Sequence, residues 1–291
     1  MLSGLRRRPL RALTAKRAFT GWACLVYVFL YLPILVVVVY AFNANRDVTF
    51  WTGFTTDWFG RALGNQTYLP AVKTSVKIAA VNAVIATVLG TAAALALARM
   101  KRRWRAPFDV LVYLTLVVPE IVIAVATLIF FVQAHAHVSV FPTLGWKTIL
   151  LAHVVFNASV VTLIVRARFV GMGSVLEEAS FDLGAGPIAT FRQVTLPRLY
   201  PAVVAGGLLA FTFSFDDYVL SAFNAGGVTQ TWPMAIFAAV RFGVTPAINA
   251  LATMMLGITL VLILATGLVL RRGRATAPAE GRGLAAVVGL G

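Results

Sequence analysis

Acidic side chains are scarce in this chain, with ten Asp and Glu among 291 residues against 25 Lys and Arg. Charged residues make up only 12% of the total, whereas a soluble domain of this size carries roughly 25%. A water-facing globular surface is therefore excluded for most of the length. One cysteine, Cys24, leaves no disulfide within the chain to shape the fold. No Gly-x4-Gly-Lys-Ser/Thr sequence occurs, which excludes a P-loop nucleotide site. His135 and His137 have no third ligand nearby in sequence, so no metal site is expected there. No repeat of 20–50 residues is visible, which excludes a solenoid.

What the sequence has instead is apolar length, with 60% hydrophobic residues in long runs. About 20 apolar residues suffice for a helix to cross roughly 30 Å of hydrocarbon. Six such runs are present, at about 20–42, 71–98, 107–131, 148–168, 201–223 and 247–270. The first follows a basic start but far exceeds the apolar core of a signal peptide, so it reads as an uncleaved span. Lys73 and Lys77 lie one turn apart at the start of the second run and can snorkel to the interface. Asn157 and Ser159 interrupt the fourth run and make it the weakest of the six. The expected fold class is an all-α membrane protein with six transmembrane helices, occupying 20–270. A basic segment, 1–19, precedes it, and a tail, 271–291, is expected to be disordered.

The net charge of +15 comes from clusters between apolar runs, not from a basic stripe along a polar helix. Nucleic acid is therefore not an expected partner, and membrane lipid is. With six spans, 19 of the 25 Lys and Arg fall on the side that holds both termini. The bias of basic loops towards the cytoplasm then places both termini there, in a multi-pass protein of the cytoplasmic membrane.

The segment of about 171–200, on that same side, is neither highly charged nor random. Ser174 with Glu177 three residues later has the spacing of a capping box. Gly184 suits the left-handed position that ends a helix. Pro187 suits the first position of the next helix, whose apolar side would carry Ile188, Phe191 and Val194. Pro197 and Pro201 are expected to close that helix. Two short helices around a glycine turn could simply lie among lipid headgroups, and physics alone leaves that alternative open.

Within this segment Glu178-Ala179-Ser180, three residues, Gly184, nine residues, then Val194-x-Leu196-Pro197 resembles the cytoplasmic E-A-A loop of ABC importer permeases. Ser180 for Ala and Val194 for Ile are the departures. The likeness extends along nearly the whole chain to permeases of spermidine/putrescine importers, through Tyr31-Leu32-Pro33-Ile34, Pro119-Glu120-Ile121-Val122, Ser214-Phe215-Asp216-Asp217-Tyr218-Val219 and Asn249-Ala250-Leu251. Importers of opines, aminophosphonates and other amines share these stretches. Members often carry Asp where Glu120 stands, and Leu-Pro where Ala158-Ser159 stands.

The resemblance implies the type I importer fold, alternating access and no catalytic residue. It also implies a second permease subunit, two ATPase subunits that hold ATP and magnesium, and an extracytoplasmic substrate-binding protein. This chain itself would bind no cofactor. The residues implied for ATPase coupling are Glu178, Ala179, Asp182, Gly184, Phe191, Leu196 and Pro197. A secondary carrier or channel without an ATPase is the rival from another class.

Three carboxylates lie deep in the predicted spans: Glu120, Asp216 and Asp217. An ionised Asp at a span centre costs about 2.5–3.5 kcal/mol, so such groups face a cavity or a partner. A polyamine path would use them to offset ammonium desolvation. Capping of broken helices, or pairing with the second permease, is the alternative. Pro119 is expected to kink the third span. Trp51 and Trp58 read as interfacial anchors, with stacking on an amine as the alternative.

Overall fold

In a computed structural model, residues 8–46, 48 and 50–275 are described, and the described residues are predominantly helical. Arg6 and Arg7 of the basic start, and residues 276–291 of the tail, lie outside them. The elements in order are α1 (Arg8–Tyr40), α2 (Asp57–Gly64), α3 (Tyr68–Arg99), α4 (Arg102–Val117), α5 (Glu120–His137) and α6 (Trp146–Val170). There follow α7 (Val175–Asp182), α8 (Pro187–Thr190), a π-helical turn (Phe191–Thr195), α9 (Leu196–Phe215), α10 (Val219–Asn224), α11 (Trp232–Val240) and α12 (Pro246–Ala275). Among the described residues six helical stretches are long and apolar enough to cross a membrane: Phe19–Tyr40, Tyr68–Arg99, Glu120–His137, Trp146–Val170, Pro187–Phe215 and Pro246–Arg271.

The chain forms two compact units. In the first, residues 1–65 and 239–254, the loop after α1 is built around buried Asn43. Its Nδ2 donates to the Phe50 carbonyl at 2.8 Å, and its Oδ1 accepts the Thr52 amide at 3.1 Å. Trp58 is buried there, donating its indole N–H to the Asn43 carbonyl at 2.7 Å. That bond ties Trp58 into the loop. Trp51 stays exposed.

The second unit, residues 66–238 and 255–291, has α3, α6 and α9 at its core. The buried face of α3 runs Ala71, Ser75, Ile78, Ala79, Asn82, Ala86, Gly90, Ala94, Leu97. That three-and-four spacing of small residues is one stripe of a helix, and small side chains let neighbouring backbones approach closely in lipid. At Gly90 the approach is tight enough that a Cβ would lie 2.6 Å from Val161 Cβ and 2.8 Å from the Ala158 carbonyl oxygen. Polar pins cross the same seam. Asn82 Nδ2 donates to the Ala210 carbonyl at 2.9 Å, and Thr162 Oγ1 to that of Gly90 at 3.2 Å. Arg166 of α6 pairs with Asp109 of α4.

Several expectations are corrected. The third run is not one helix over 107–131. Pro119 has no N–H to donate, and the residue before a proline disfavours the helical region. Val118 is accordingly extended, at ψ 131°, and α4 and α5 are separate. The fifth run is not helical through 223, because residues 216–218 break it. Pro197 and Pro201 do not end a helix. Pro197 lies in the first turn of α9 and Pro201 within it. The fourth run is an unbroken helix, with the Ser159 hydroxyl bonded back to the Val155 carbonyl at 3.4 Å.

Candidate functional site

The two helix breaks form the walls of one cavity of about 660 Å³. On one side the Val118-Pro119 interruption puts Glu120 in the first turn of α5. On the other, α9 stops at Phe215, leaving Asp216, Asp217 and Tyr218 outside regular helix before α10 starts. All three carboxylates singled out in the sequence therefore line the same cavity, beside Phe156, Asn157, Phe213 and Tyr218. Like charges that share one cavity repel one another when ionised.

The three acids are not equivalent. Asp217 is buried, and its Oδ1 accepts the Ser221 amide at 2.8 Å while Oδ2 accepts that of Leu220 at 3.4 Å. These donors belong to the first turn of α10, which has no earlier carbonyls to bond, so Asp217 serves the helix end. Its Oδ1 also lies 3.0 Å from His153 Nε2. The other ring nitrogen, Nδ1, is 2.7 Å from Ser214 Oγ, and Ser221 Oγ is 3.3 Å from Nε2. His153 thus ties α6 to the α9–α10 break, and this residue was missed in the sequence. A lone histidine inside an apolar run gives no spacing signal; only the fold reveals that it meets Asp217. Asp216 makes no ion pair among the described residues.

The loop of 171–200 forms a second feature, at the other end of α9. Gly184 has φ +82°, donating its amide to the Phe181 carbonyl at 2.9 Å, while Ala185 N–H donates to Ser180 at 3.0 Å. This pair of bonds is the Schellman ending that a left-handed glycine permits. Pro187 opens α8 as expected. The Ser180 and Thr190 hydroxyls, 3.0 Å apart, join α7 to α8.

The capping box does not form. Ser174 makes no side-chain cap, and Glu177 instead accepts the Thr195 hydroxyl and lies 3.5 Å from Arg99. An external hydroxyl and cation have outcompeted the helix's own amides. Glu178, Ala179, Asp182, Gly184 and Pro197 are exposed, and Leu196 is 37% exposed, whereas Phe191 is half-buried. Leu183 and Ile188, at 89% and 84% exposure, also project from this loop. The sequence had placed Ile188 on the apolar side of the second short helix and had not marked Leu183.

Between these features α9 runs 20 residues, or about 30 Å at 1.5 Å per residue. One helix therefore carries the loop at one end and Asp216 and Asp217 at the other. Among the described residues no group of three or more metal-ligating side chains occurs.

Residues 86–274 match the family described as binding-protein-dependent transport system inner membrane component. The putrescine transport system permease protein PotI of Escherichia coli K12 is 42% identical over 79% of this chain and 83% of its own length. The spermidine/putrescine transport system permease protein PotC of Haemophilus influenzae is 38% identical over 85% of this chain and 94% of its own. Among solved structures, a chain of a bacterial ABC transporter involved in import of the acidic polysaccharide alginate superposes with a TM-score of 0.67, covering 92% of this chain and 100% of that one. Their sequences are 15% identical, so this likeness shows the fold alone.

Proposed function

The chain belongs to the binding-protein-dependent transport system inner membrane component family, as a permease component of ABC importers, and on that footing we propose that it carries polyamines such as putrescine and spermidine. It is a multi-pass inner membrane protein whose relatives are transport system permease proteins. The observation that carries the substrate reading is the cavity with three carboxylates between two broken helices. An ammonium 4 Å from a carboxylate gains about 4 kcal/mol at an effective dielectric of 20. A diammonium needs at least one such contact at each end to offset its lost hydration, whereas a neutral sugar would gain nothing from the repulsion among these acids.

The assembly implied is a second permease subunit, two ATPase subunits holding ATP and magnesium, and an extracytoplasmic binding protein that delivers substrate. Glu178, Ala179, Asp182, Gly184, Leu196 and Pro197 would present the ATPase contact, with Phe191 supporting it from within. Closure of the ATPases would then displace α7 and α8, and α9 would pass the movement to the residue 216–218 break. The cavity would open alternately to each side, with both termini in the cytoplasm. No substrate bond is made or broken.

Glu120→Gln and Asp216→Asn keep size and hydrogen-bonding capacity while removing charge. In proteoliposomes holding the whole transporter, each is expected to lower putrescine uptake about tenfold, equivalent to about 1.4 kcal/mol on the passage step. Assembly and binding-protein affinity should be unchanged. Full polyamine uptake by both variants would return these acids to a structural role.

A further inference from the structure

Thr74, Thr115, Thr127, Thr162, Thr212 and Thr266 each donate the hydroxyl to the carbonyl four residues back in their own helix. Thr195 departs from this habit. For it that carbonyl, of Phe191, takes the Leu196 amide across the π-helical turn. The Thr195 side chain is wholly buried, and its hydroxyl donates instead to Glu177 Oε1 on α7. A buried hydroxyl needs a partner, and an ionised carboxylate is a stronger acceptor than a carbonyl.

Glu177 is placed for this contact and not for the surface. Its neighbours Leu176 and Glu178 are exposed, while its own side chain is turned inward, at 20% exposure. Three residues on, and so on the same face of α7, Ser180 meets the Thr190 hydroxyl at 3.0 Å. Across that contact, Thr190 and Thr195 are five residues apart, which in a regular α-helix would turn them about 140° from one another. The bonds of a π turn span five residues, so this one brings Thr195 round to the side of Thr190. Helix α7 is thereby held at two points along one face. One point alone would let it pivot, and two fix its direction. Arg99, at the end of α3, lies 3.5 Å from the same Glu177 oxygen but is largely exposed, so that ion pair adds little.

Resting on the coupling role proposed above for the loop, we propose that Glu177 is a positioning residue for transport. By accepting the Thr195 hydroxyl it makes α7 and the π turn that leads into α9 move as one body, so that a thrust on α7 reaches the residue 216–218 break. In the E-A-A pattern Thr195 fills an open position and Glu177 stands just before the first fixed letter, so the pattern assigns neither of them a role.

The test uses the complete transporter in nanodiscs, otherwise free of accessible cysteine (Cys24→Ser in this chain), with Phe213→Cys as reporter. Phe213 lines the carboxylate cavity, so its labelling by a thiol reagent reads cavity opening with no substrate needed. With no further change, ATP should alter the labelling rate. Glu177→Leu and Thr195→Val should each shrink that response about tenfold, the factor that losing one hydrogen bond to a charged group implies. ATPase association and ATP turnover should stay level, since the exposed face of the loop is untouched. Glu177→Gln keeps an acceptor and Thr195→Ser a donor, and each should retain about half of the response or more. The double variant Glu177→Leu, Thr195→Val should lose no more than either single, because one contact is removed once. A full response in Glu177→Leu or Thr195→Val would overturn the proposal. So would losses that multiply in the double variant, or failure of both conservative variants to retain the response. A fall in ATPase association that matches the lost response would also overturn it, marking a bond that merely keeps the loop folded. If ATP leaves the reporter unmoved before any latch residue is changed, the coupling role of the loop itself falls, an outcome distinct from failure of the variants.

Discussion

Replacing His153 with leucine removes an imidazole that touches three partners, Asp217 at 3.0 Å, Ser214 at 2.7 Å and Ser221 at 3.3 Å. Leucine fills similar volume, so the loss is polar and leaves little void. Breaking a buried pair by deleting one partner costs about 3–5 kcal/mol. Asp217 keeps the Ser221 and Leu220 amides, which places His153→Leu near the lower end, about 3 kcal/mol. Asp217→Leu strips His153 and both amides of their acceptor, and should cost about 4–5 kcal/mol. The lost imidazole–carboxylate contact is counted in both single variants but only once in the double. The double variant should therefore be more stable than the sum of the singles implies, by a coupling of about 2 kcal/mol. Thermal unfolding of the purified protein in detergent reads this out. With a shift of about 2–4 °C per kcal/mol, the coupling amounts to roughly 4–8 °C. Additivity within about 0.5 kcal/mol would refute the idea that this contact holds the helix break in place.

Gly184 has φ +82° and nothing within 4 Å of where a Cβ would stand, so substitution there strains the backbone and nothing else. Gly184→Val should remain in the membrane yet lose uptake and bind the ATPase weakly. Gly186→Ala, at φ −72° and equally open, should behave as wild type. Normal substrate-stimulated ATPase activity in Gly184→Val would sink the docking role. For topology, a cysteine at Thr56 should label with an impermeant thiol reagent in intact cells lacking Cys24, and one at Ser174 should not; the reverse pattern would invert the orientation.

Hydropathy made the six apolar runs legible, because lipid selects on composition over 20 residues and tolerates no ambiguity there. Interruptions within runs were harder. Pro119 read as a kink and proved to be a full break, since a proline alone does not say whether neighbouring helices will re-satisfy the freed backbone. Asp216 and Asp217 were recognisable as expensive, yet adjacent letters could not show that both line one cavity while Asp217 alone also holds the first amides of α10. His153 stands alone in an apolar segment, and its meaning comes only from what α9 and the 216–218 break bring opposite it. The glycine turn at 184 was readable because only one residue type suits that backbone. Glu177 was misassigned because its partners, Arg99 and Thr195, are distant in sequence.

The π-helical turn at Phe191–Thr195 has a consequence for chain length. There the Leu196 amide donates to the Phe191 carbonyl, five residues back where an α-helix would reach four. Such a turn amounts to one residue inserted into an otherwise regular screw. Each α-helical residue advances the azimuth by about 100°, and the wider turn spreads nearly the same rotation over one residue more, so the insertion is absorbed without swinging what lies upstream. The nine-residue interval between Gly184 and Val194 thus holds one residue that adds to the letter count and not to the phase. A relative that lost one letter here would wind regularly and still point its loop along the same bearing.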